Sequence, residues 1–289
     1  MDFETLRREV IIAIAVDDFL WERLVLKGGN ALRIVYGIGA RASLDIDYSM
    51  EGDFTDLEIV RERLEAALAK HLGKVLGLRV FDLTLSPKPK QPHEDPTWGG
   101  YRVEFKMIDR EKFESLGGKL ETLRRQAEVV APGQIKRFSI DISKHEYCGA
   151  KETRRVGNYD VVVYQLAAIA VEKLRAVCQQ MPAYEITPKR TARARDFYDI
   201  HAIVTTGRID LASPENLILI RHVFAAKKVS LELLANVHAE REFHRTDWPS
   251  VKDSVGGDAV SEFDFYFDFV LTEIGRLAAS GLFKSDERG

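Results

Sequence analysis

The chain has 289 residues, of which 45% are hydrophobic and 30% are charged, and its formal net charge at pH 7 is −3. This length and composition are typical of a soluble globular protein with one large domain or two ordinary ones. The small negative charge excludes a protein that coats nucleic acid through its overall field, so any nucleic-acid contact has to come from a local basic patch.

The cysteines and the first apolar run predict where the protein acts. Cys148 and Cys178 have neither a zinc-binding spacing nor a disulfide pattern, as expected in a reducing cytosol. The apolar run from Val10 to Val16 is too short to span a bilayer, and Asp17 and Asp18 follow it without a signal-peptide cleavage site. We therefore expect a cytoplasmic protein that has no membrane partner.

A double glycine is the first feature that indicates chemistry. The pattern predicts a short strand over Arg23–Leu26, which Gly28 and Gly29 end. A helix is predicted to follow over Ala31–Tyr36, with Asn30 as its N-cap. A strand that leads through such a turn into a helix brings backbone N–H groups and the positive end of the helix dipole to one point, where they can hold a phosphate. An ordinary tight turn would use the same glycines.

Two aspartates follow in an alternating segment. Asp45 and Asp47 alternate with Leu44, Ile46 and Tyr48, which is the period of a half-buried strand. Side chains at positions i and i+2 of a strand point to the same face, so the two carboxylates stand side by side and repel each other. Mg²⁺ turns that repulsion into attraction, because it prefers one or two carboxylates together with substrate phosphates. The alternative is a solvated strand face.

The rest of the first half is predicted to alternate between helices and strands, with one proline-rich loop. These elements are a helix over residues 3–20, a helix over Asp56–Leu72, a strand over Val75–Leu85, an exposed loop over Pro87–Pro96, a strand over Tyr101–Met107, a helical or sheet-edge segment over residues 110–130, and a strand over Arg137–Ser143. In the last strand, apolar residues occupy one face and Asp141 lies on the other. Asp141 is therefore either a third carboxylate of a metal site or a solvated polar residue.

The strand pattern is predicted to end near residue 158, and we place a domain boundary near Gly157. Residues 1–157 are predicted to form a mixed sheet with flanking helices, and residues 158–289 a helical domain. A long helix over Asp160–Gln179 carries Lys173 on its apolar stripe, where an ammonium group is costly unless it reaches water or an anion. Lys173 therefore either snorkels to the rim of the stripe or has a functional role.

The next predicted helix, within Pro188–Val204, begins beside a dense group of cations. They are Lys189, Arg190, Arg193 and Arg195. Asp196 and Asp199 follow, and their spacing of three residues puts them on one helix face. One interpretation is a first helical turn favoured by the helix dipole, beside a solvated basic loop. The other is a basic lip that handles phosphates next to an acid-lined site.

Three motifs together resemble those of the AbiEii nucleotidyltransferase family, which includes type IV toxins and the MenT toxins of mycobacteria. They are KGGNALRIVYG followed by RASLDIDYS, VEKLRA around Lys173, and RARDFYD from Arg193 to Asp199. The resemblance covers residues 24–205, and the order of strand, Gly-Gly turn, helix, D-x-D, helical lysine and R-x-R-D-x-x-D is too specific for a coincidence. One departure is Asn30, where the family usually has a threonine or serine whose hydroxyl helps to hold a phosphate.

The resemblance implies a mixed α/β nucleotidyltransferase core with a helical C-terminal domain, and a reaction that uses Mg²⁺ or Mn²⁺ and a nucleoside triphosphate. It implies catalytic roles for Asp45, Asp47, Lys173 and Asp196, with the last two contributed to the cleft by the helical domain. Asp45 and Asp47 would hold the metal, and Asp141 is a further candidate ligand. The residues expected to bind the nucleotide are Gly28, Gly29, Asn30, Arg41, Ser43, Arg193 and Arg195.

The resemblance also implies a target. The MenT toxins add nucleotides to the 3′ end of tRNA and so stop translation, and a cognate antitoxin restrains such toxins. We therefore expect a toxin that transfers nucleotides from an NTP to RNA, in particular to the 3′ end of tRNA, and that has an AbiEi-like antitoxin as partner. The alternatives are an enzyme that modifies a small molecule such as an antibiotic, an enzyme that transfers AMP to a protein, and a non-catalytic scaffold of the same fold.

Overall fold

The computed structural model describes residues 2–39, 45–91, 93–95, 97–186, 189–255 and 260–283. These residues form two compact units, and the division falls between Tyr164 and Gln165. Residues 36–39 group with the second unit. Within the described ranges, every helix is too short or too polar to span a bilayer.

The first unit combines a sheet with short and long helices. Its elements are α1 (Phe3–Ala15), α2 (Asp18–Arg23), β1 (Val25–Lys27), the single turn α3 (Gly28–Asn30), a π-helical turn (Ala31–Val35), β2 (Ile46–Ser49), α4 (Leu57–Val75), β3 (Leu78–Lys88), β4 (Gly100–Asp109), α5 (Arg110–Ser115), α6 (Leu120–Gln126), β5 (Phe138–Ser143), β6 (Lys151–Val156) and β7 (Tyr159–Tyr164). The single helix predicted over residues 3–20 is two helices, because the Asp17 side chain accepts a hydrogen bond from the Leu20 N–H and starts α2.

The seven strands form one mixed sheet in the order β3-β4-β5-β2-β1-β7-β6. β2 lies parallel to β5 and antiparallel to β1, and β1 lies parallel to β7. The remaining neighbours pair antiparallel. α1 packs against α4 and β7, and α4 packs against β3. The predicted mixed sheet with flanking helices is confirmed.

The strand β7 corrects the predicted start of the helical region. We predicted a helix over Asp160–Gln179, whereas β7 occupies Tyr159–Tyr164 and α7 begins at Leu166. Three consecutive valines in β7 are buried, and β1 lies beside it in parallel. A strand buried on both faces is apolar at every position, so it shows no alternation that would separate it from a buried helix.

Residues 110–126 form the helices α5 and α6 on the edge of the sheet that contains β3 and β4. A small apolar cluster of Phe81, Ile108, Leu123 and Ala127 lies between these helices and the strands. Arg124 on α6 also binds the Asp82 carboxylate on β3 through two hydrogen bonds, of 2.8 and 2.6 Å. The segment that the sequence predicted as helical or at the sheet edge is both.

The second unit is helical, as predicted. Its elements are α7 (Leu166–Cys178), α8 (Ala194–Gly207), α9 (Pro214–Ala225), a 3₁₀-helical segment (Leu231–Glu240), α10 (Arg241–Arg245), α11 (Trp248–Val255) and α12 (Phe263–Ala279). α8 packs against α7 and α12, and α7 also packs against α9. Phe197 stacks on Phe267 with ring centroids 4.9 Å apart and meets Phe263 at 5.6 Å, so α8 lies at the centre of this core.

Candidate active site

The double glycine brings the backbone against Asp47. β1 ends at Lys27, and Gly28 has a φ of +72°, which residues with a side chain rarely adopt. A Cβ atom at Gly28 would lie 2.6 Å from Oδ2 of Asp47, inside van der Waals contact. Position 28 therefore requires glycine for its backbone conformation and again for the closeness of this carboxylate. Gly29 follows within α3.

Strand register places four charged residues in one row across the sheet. Lys27 on β1 pairs with Asp47 on β2, Asp47 pairs with Asp141 on β5, and Asp141 pairs with Arg102 on β4. Directly paired residues on neighbouring strands point to the same face. Asp47 and Asp141, which lie 94 positions apart in sequence, are therefore neighbours on one face of the sheet.

Asn30 fixes the segment that carries Asp45. The Asn30 side chain is 2% exposed, and its Nδ2 donates a hydrogen bond of 2.7 Å to the main-chain oxygen of Asp45. Asn30 lies inside α3, whose N-cap position is Lys27, so the predicted N-cap is wrong. The physical reason is that the amide group holds a distant carbonyl oxygen, whereas an N-cap would use its side-chain oxygen on its own helix.

The Asp45 carboxylate is electrostatically strained. Burial raises the pKa of Asp45, and the negative charge of Asp141 raises it further. The positive charges of Arg102, Lys88 and Arg7 oppose this rise without cancelling it. Ionised Asp45 is therefore disfavoured in the folded protein, and a bound cation would relieve that cost.

Asp141 has the opposite character. Burial raises its pKa, but hydrogen bonds from Arg102 and Lys88 outweigh burial, and the net pKa lies below the usual value. Arg102 donates from Nε to Oδ1 at 2.8 Å and from Nη2 to Oδ2 at 2.9 Å, and Lys88 Nζ lies 2.5 Å from Oδ2. Both carboxylate oxygens thus face cations of the protein, and the role of metal ligand that the sequence left open for Asp141 stays a prediction.

Asp45 and Asp47 fit a divalent cation that binds together with a nucleotide. Both side chains are half-buried, and burial is the main cause of the raised pKa of Asp45, followed by the negative charge of Asp141. Within the described part of the chain, no group of three or more His, Cys, Asp or Glu residues could hold a metal by itself. Mg²⁺ commonly takes one or two protein carboxylates and completes its six ligands with water and substrate phosphates. The pair therefore suits Mg²⁺ that arrives with a triphosphate.

In the second unit, Lys173 on α7 is buried between two aspartates of α8. Its Nζ donates to Oδ1 of Asp196 at 3.0 Å and to Oδ2 of Asp199 at 2.7 Å. The side chains of the lysine and the two aspartates are 10%, 5% and 6% exposed. The ammonium group on the apolar stripe thus reaches anions and does not snorkel to water. Two of the residues predicted to be catalytic, Lys173 and Asp196, are therefore in direct contact.

The arginines of the predicted basic lip face carboxylates of their own unit. The pairs are Arg190 with Glu240, Arg193 with Asp196 at 3.3 Å, and Arg195 with Asp247 at 3.7 Å. Each carboxylate offsets the positive charge beside it, so the field that this segment offers to a phosphate is smaller than four cations alone would give. That Arg193 and Arg195 bind the nucleotide stays a prediction, and Arg41 and Ser43 lie outside the described residues.

His244 is a residue of this second cluster that the sequence did not indicate. It is fully buried, and its Nδ1 accepts a hydrogen bond of 3.0 Å from the backbone N–H of Arg193, so the ring proton lies on Nε2. Burial is the main cause that lowers its pKa to about 4. The positive charges of Arg190 and Arg193 lower the pKa further, and the negative charge of Asp196 raises it. His244 is 51 positions from Arg193 and belongs to no motif, so no sequence signal could have found it.

A mixed sheet with Asp47 on β2, Asp45 just before that strand and a glycine turn beside Asp47 fits the class of nucleotidyltransferases. The family model described as "Nucleotidyl transferase AbiEii toxin, Type IV TA system" matches residues 11–269. The chain belongs to this family, which confirms the resemblance inferred from its motifs. Comparison with curated proteins gives no match.

Several solved structures are similar over most of the chain. JHP933 from Helicobacter pylori is 16% identical, with a TM-score of 0.47, and the match covers 96% of this chain and 94% of that one. An antigenic nucleotidyltransferase-like protein from Paracoccidioides brasiliensis is 13% identical, with a TM-score of 0.39 and coverage of 86% and 92%. The antibiotic-resistance factor ANT(2'')-Ia is 15% identical, with a TM-score of 0.38 and coverage of 79% and 96%. The family assignment depends on the sequence match over residues 11–269.

Proposed function

We propose that the protein is a Mg²⁺-dependent toxin that acts in the cytoplasm and transfers a nucleotide from an NTP to the 3′ end of tRNA. The observation that carries this proposal is the pair of half-buried carboxylates, Asp45 and Asp47, with the Gly28 backbone against one of them. Membership of a family of nucleotidyltransferase toxins supports the reaction class. The choice of tRNA follows from the resemblance to toxins that modify its 3′ end.

The proposed reaction is an in-line displacement at phosphorus. The 3′-hydroxyl oxygen of the acceptor bonds to the α-phosphorus of the NTP and loses its proton to solvent. The bond from that phosphorus to the oxygen leading to the β-phosphate breaks, and pyrophosphate leaves. Mg²⁺, when bound, neutralises charge on the phosphates and orients them. Asp45 and Asp47 would hold that ion, and the backbone N–H groups at Gly28 and Gly29 would hold the triphosphate.

Asn30 has a supporting role in this proposal. The family usually has a hydroxyl residue here, whereas the amide of Asn30 spans to the Asp45 carbonyl oxygen at 2.7 Å. We propose that this hydrogen bond sets the position of Asp45 before β2 begins. The amide therefore replaces a phosphate contact with a contact that positions a metal ligand.

For the second unit, we propose that Asp196 orients the Lys173 ammonium group and that transfer requires this lysine. The 3.0 Å hydrogen bond between the two supports the orienting role. Asp199 contacts the same ammonium group at 2.7 Å, so it shares that role. The family description, which names a type IV toxin–antitoxin system, supports an AbiEi-like antitoxin as the protein's partner.

The test is transfer of label from each α-labelled NTP to total tRNA, with Mg²⁺, with Mn²⁺ and with chelator. We expect labelled tRNA only when metal is present. Asp45→Ala and Asp47→Ala should each reduce transfer by at least about 10³-fold, because metal stabilisation of a phosphoryl transition state is worth several kcal/mol. Asp253→Ala, at an exposed position of α11, is the control and should retain the wild-type rate.

Acceptor panels decide between the alternatives. Label on an aminoglycoside or lincosamide but not on tRNA would identify an antibiotic-modifying enzyme, and label on protein would identify AMP transfer. If no acceptor is labelled with any NTP, and calorimetry shows no Mg²⁺-dependent NTP binding, the protein is a non-catalytic scaffold.

A further inference from the structure

Two cations lie on the face of the sheet that carries the carboxylate pair. Arg102 pairs in register with Asp141, and Asp141 pairs with Asp47. Lys88 is two positions after Ser86, which pairs with Arg102, so Lys88 points to the same face. Neither cation was singled out by the sequence, because only strand register brings them beside the aspartates.

Asp141 holds both cations in place and leaves donors on each of them. The side-on contact with Asp141 uses Nε and Nη2 of Arg102. Among the described residues, Nη1 of Arg102 makes no hydrogen bond, and Lys88 makes one through an ammonium group that has three donors. The side chains of Lys88 and Arg102 are 48% and 34% exposed, whereas that of Asp141 is 17% exposed.

The charges of this trio do not cancel. Asp141 contributes one negative charge and the two cations contribute two positive charges, so the group has a net charge of about +1. Three hydrogen bonds from the two cations to the Asp141 carboxylate favour its ionised form. β4 is two strands from β2, which places Arg102 roughly 10 Å from Asp47 along the sheet. A positive group at that spacing can contact a phosphate while Asp45 and Asp47 hold a metal at the reacting one.

We propose that Lys88 and Arg102 form a phosphate-binding subsite beside the Asp45–Asp47 pair, and that Asp141 is the positioning residue that holds the two cations there. The inference rests on the proposed function, because it assigns the second phosphate to a substrate of nucleotidyl transfer. That phosphate belongs either to the last internucleotide linkage of the acceptor or to the triphosphate of the donor.

The subsite also predicts what the enzyme rejects. A cationic group that enters the subsite is repelled by Lys88 and Arg102, because like charges repel each other. An RNA strand places a phosphate there and is attracted. The subsite therefore favours an anionic acceptor over a cationic antibiotic.

The experiment compares Lys88→Gln and Arg102→Gln with wild type in direct binding assays. The probes are a short single-stranded RNA, followed by fluorescence anisotropy, and a non-hydrolysable NTP with Mg²⁺, followed by calorimetry. Loss of a hydrogen bond to a charged group should weaken binding of one probe about 10-fold for exposed Lys88 and about 10- to 100-fold for Arg102. If RNA is the ligand, the slope of log K against log salt should also become shallower by about 0.7 for each phosphate that the variant no longer neutralises.

Arg124→Gln is the matched control. Arg124 binds Asp82 side-on through Nε and Nη2, as Arg102 binds Asp141, and its side chain is 37% exposed. The substitution removes the same charge and an equivalent pair of hydrogen bonds from another part of the first unit, together with a third hydrogen bond, of 2.7 Å, to Glu121. Both probes should bind this variant as tightly as wild type. Lys88→Gln leaves Asp141 bound to Arg102, so it tests the subsite even if Arg102→Gln folds poorly.

A neutral linkage distinguishes the two sources of phosphate. Suppose that the acceptor supplies the phosphate. An RNA whose last linkage is a methylphosphonate should then bind wild type about 10-fold more weakly than ordinary RNA does. Arg102→Gln should bind the two RNAs equally tightly. If the donor supplies it, the variants lose NTP affinity and the methylphosphonate penalty is the same in all proteins. Unchanged binding of both probes to both variants overturns the subsite.

Failure of the proposed function gives a different result. If wild type labels tRNA but the variants bind both probes normally, the proposed function stands and the subsite is wrong. If no acceptor is labelled but the two variants still weaken a probe, the subsite stands and the proposed reaction is wrong. If no acceptor is labelled and neither probe binds to wild type, both are wrong.

Discussion

Two groups of acids in this protein differ in how their charge is balanced. On the sheet of the first unit, the pKa of Asp45 is raised by burial and by the nearby charge of Asp141. In the second unit, Asp196 and Asp199 are more deeply buried, yet Lys173 and Arg193 contact them directly. The second group sums to zero charge, whereas the first contains a carboxylate whose ionisation the fold disfavours.

This difference separates acids whose charge the fold itself balances from an acid whose charge only a bound cation would balance. Buried charges that pair internally are compatible with a stable core, because each carboxylate has its cation. A carboxylate kept ionised against burial and a like charge reduces stability, and such groups are concentrated at sites that bind cations or substrates. The stability of variants in each group tests this difference.

Lys173→Met should have the largest effect. It would leave Asp196 and Asp199 buried without their shared cation, and removal of one partner from a buried ion pair typically costs about 3–5 kcal/mol. Equilibrium denaturation in urea, followed by circular dichroism, measures this loss. A loss of unfolding free energy below about 1 kcal/mol would show that water reaches the aspartates and that they do not depend on Lys173 for their charge balance.

The control for Lys173→Met removes the charges on both sides. Lys173→Met combined with Asp196→Asn and Asp199→Asn removes the buried ammonium and both buried carboxylates together. The charge left behind is that of Arg193, whose side chain is 36% exposed, so most of the missing stability should return. Label transfer by Lys173→Met has to be measured at a temperature where that variant is folded. A lysine needed for transfer predicts that the triple variant is stable but inactive.

His244→Asn tests whether the second group keeps its histidine neutral. The folded pKa of His244 is about 4, against an ordinary value of 6.5, so the unfolded chain binds a proton between these two pH values while the folded chain does not. Wild type therefore loses stability as pH falls from 6.5 to 4, by about 3 kcal/mol from this residue. Asn can accept the hydrogen bond from the Arg193 N–H and does not titrate, so its unfolding free energy should fall less over that range.

Comparison of the two proteins across the pH range isolates His244. Every other titrating group is common to both proteins. The unfolding free energy of wild type minus that of the variant should therefore fall steadily as pH falls from 6.5 to 4. A constant difference would mean that His244 is protonated in the folded protein near its ordinary pKa. The absolute stability of the variant at pH 7 carries an extra cost for the smaller side chain, which the comparison removes.

The sequence supports predictions about the parts of the candidate site that lie within one segment. Alternation with apolar residues predicts that Asp45 and Asp47 share a face, and the adjacent glycines predict the turn at Gly28. The apolar stripe of α7 predicts that Lys173 needs an anion, and the acids that follow in the chain supply two. In each case the information lies within one element or in adjacent ones.

The other parts depended on contacts between distant segments. Arg102 and Lys88 reach Asp141 only through strand register, over separations of 39 and 53 residues. The sequence predicts Asn30 as an N-cap, but its side chain binds the main-chain oxygen of Asp45, 15 positions away. The strand β7 was taken for helix because its buried valines show no period. Composition and periodicity describe a segment alone, so they do not give its partners.

Asp141→Asn should destabilise the protein by about 1–2 kcal/mol, a value reduced by the exposure of Lys88 and Arg102. The folded pKa of Asp141 is lowered, so its stabilising effect is fully present above the ordinary pKa of aspartate and is lost as pH falls through the folded pKa. The difference between wild type and variant should therefore be constant near neutral pH and vanish in acid. A difference that persists below the folded pKa would trace the loss to packing.

Asp45→Asn should have the smallest effect and the opposite sign. The folded pKa of Asp45 is raised, so the folded protein binds this proton more tightly than the unfolded chain does, and stability falls as pH rises from below the ordinary pKa through the folded one. Asparagine removes that cost, and we expect the variant to be more stable than wild type by about 1 kcal/mol at neutral pH. Thermal or urea unfolding without metal and nucleotide measures the gain.

The pH profile and a matched acid make this last result specific. The gain from Asp45→Asn should disappear as pH falls below the ordinary pKa of aspartate, because wild-type Asp45 is then neutral in both the folded and unfolded states. Glu62→Gln, at an exposed position in the middle of α4, should change the unfolding free energy by less than about 0.5 kcal/mol at any pH. If Asp45→Asn is less stable than wild type at neutral pH, Asp45 is stabilised by its surroundings, and the two groups of acids do not differ as described. If it is more stable and Mg²⁺ with NTP raises the stability of wild type but not of the variant, the strain at Asp45 is the part of the fold that the bound cation relieves.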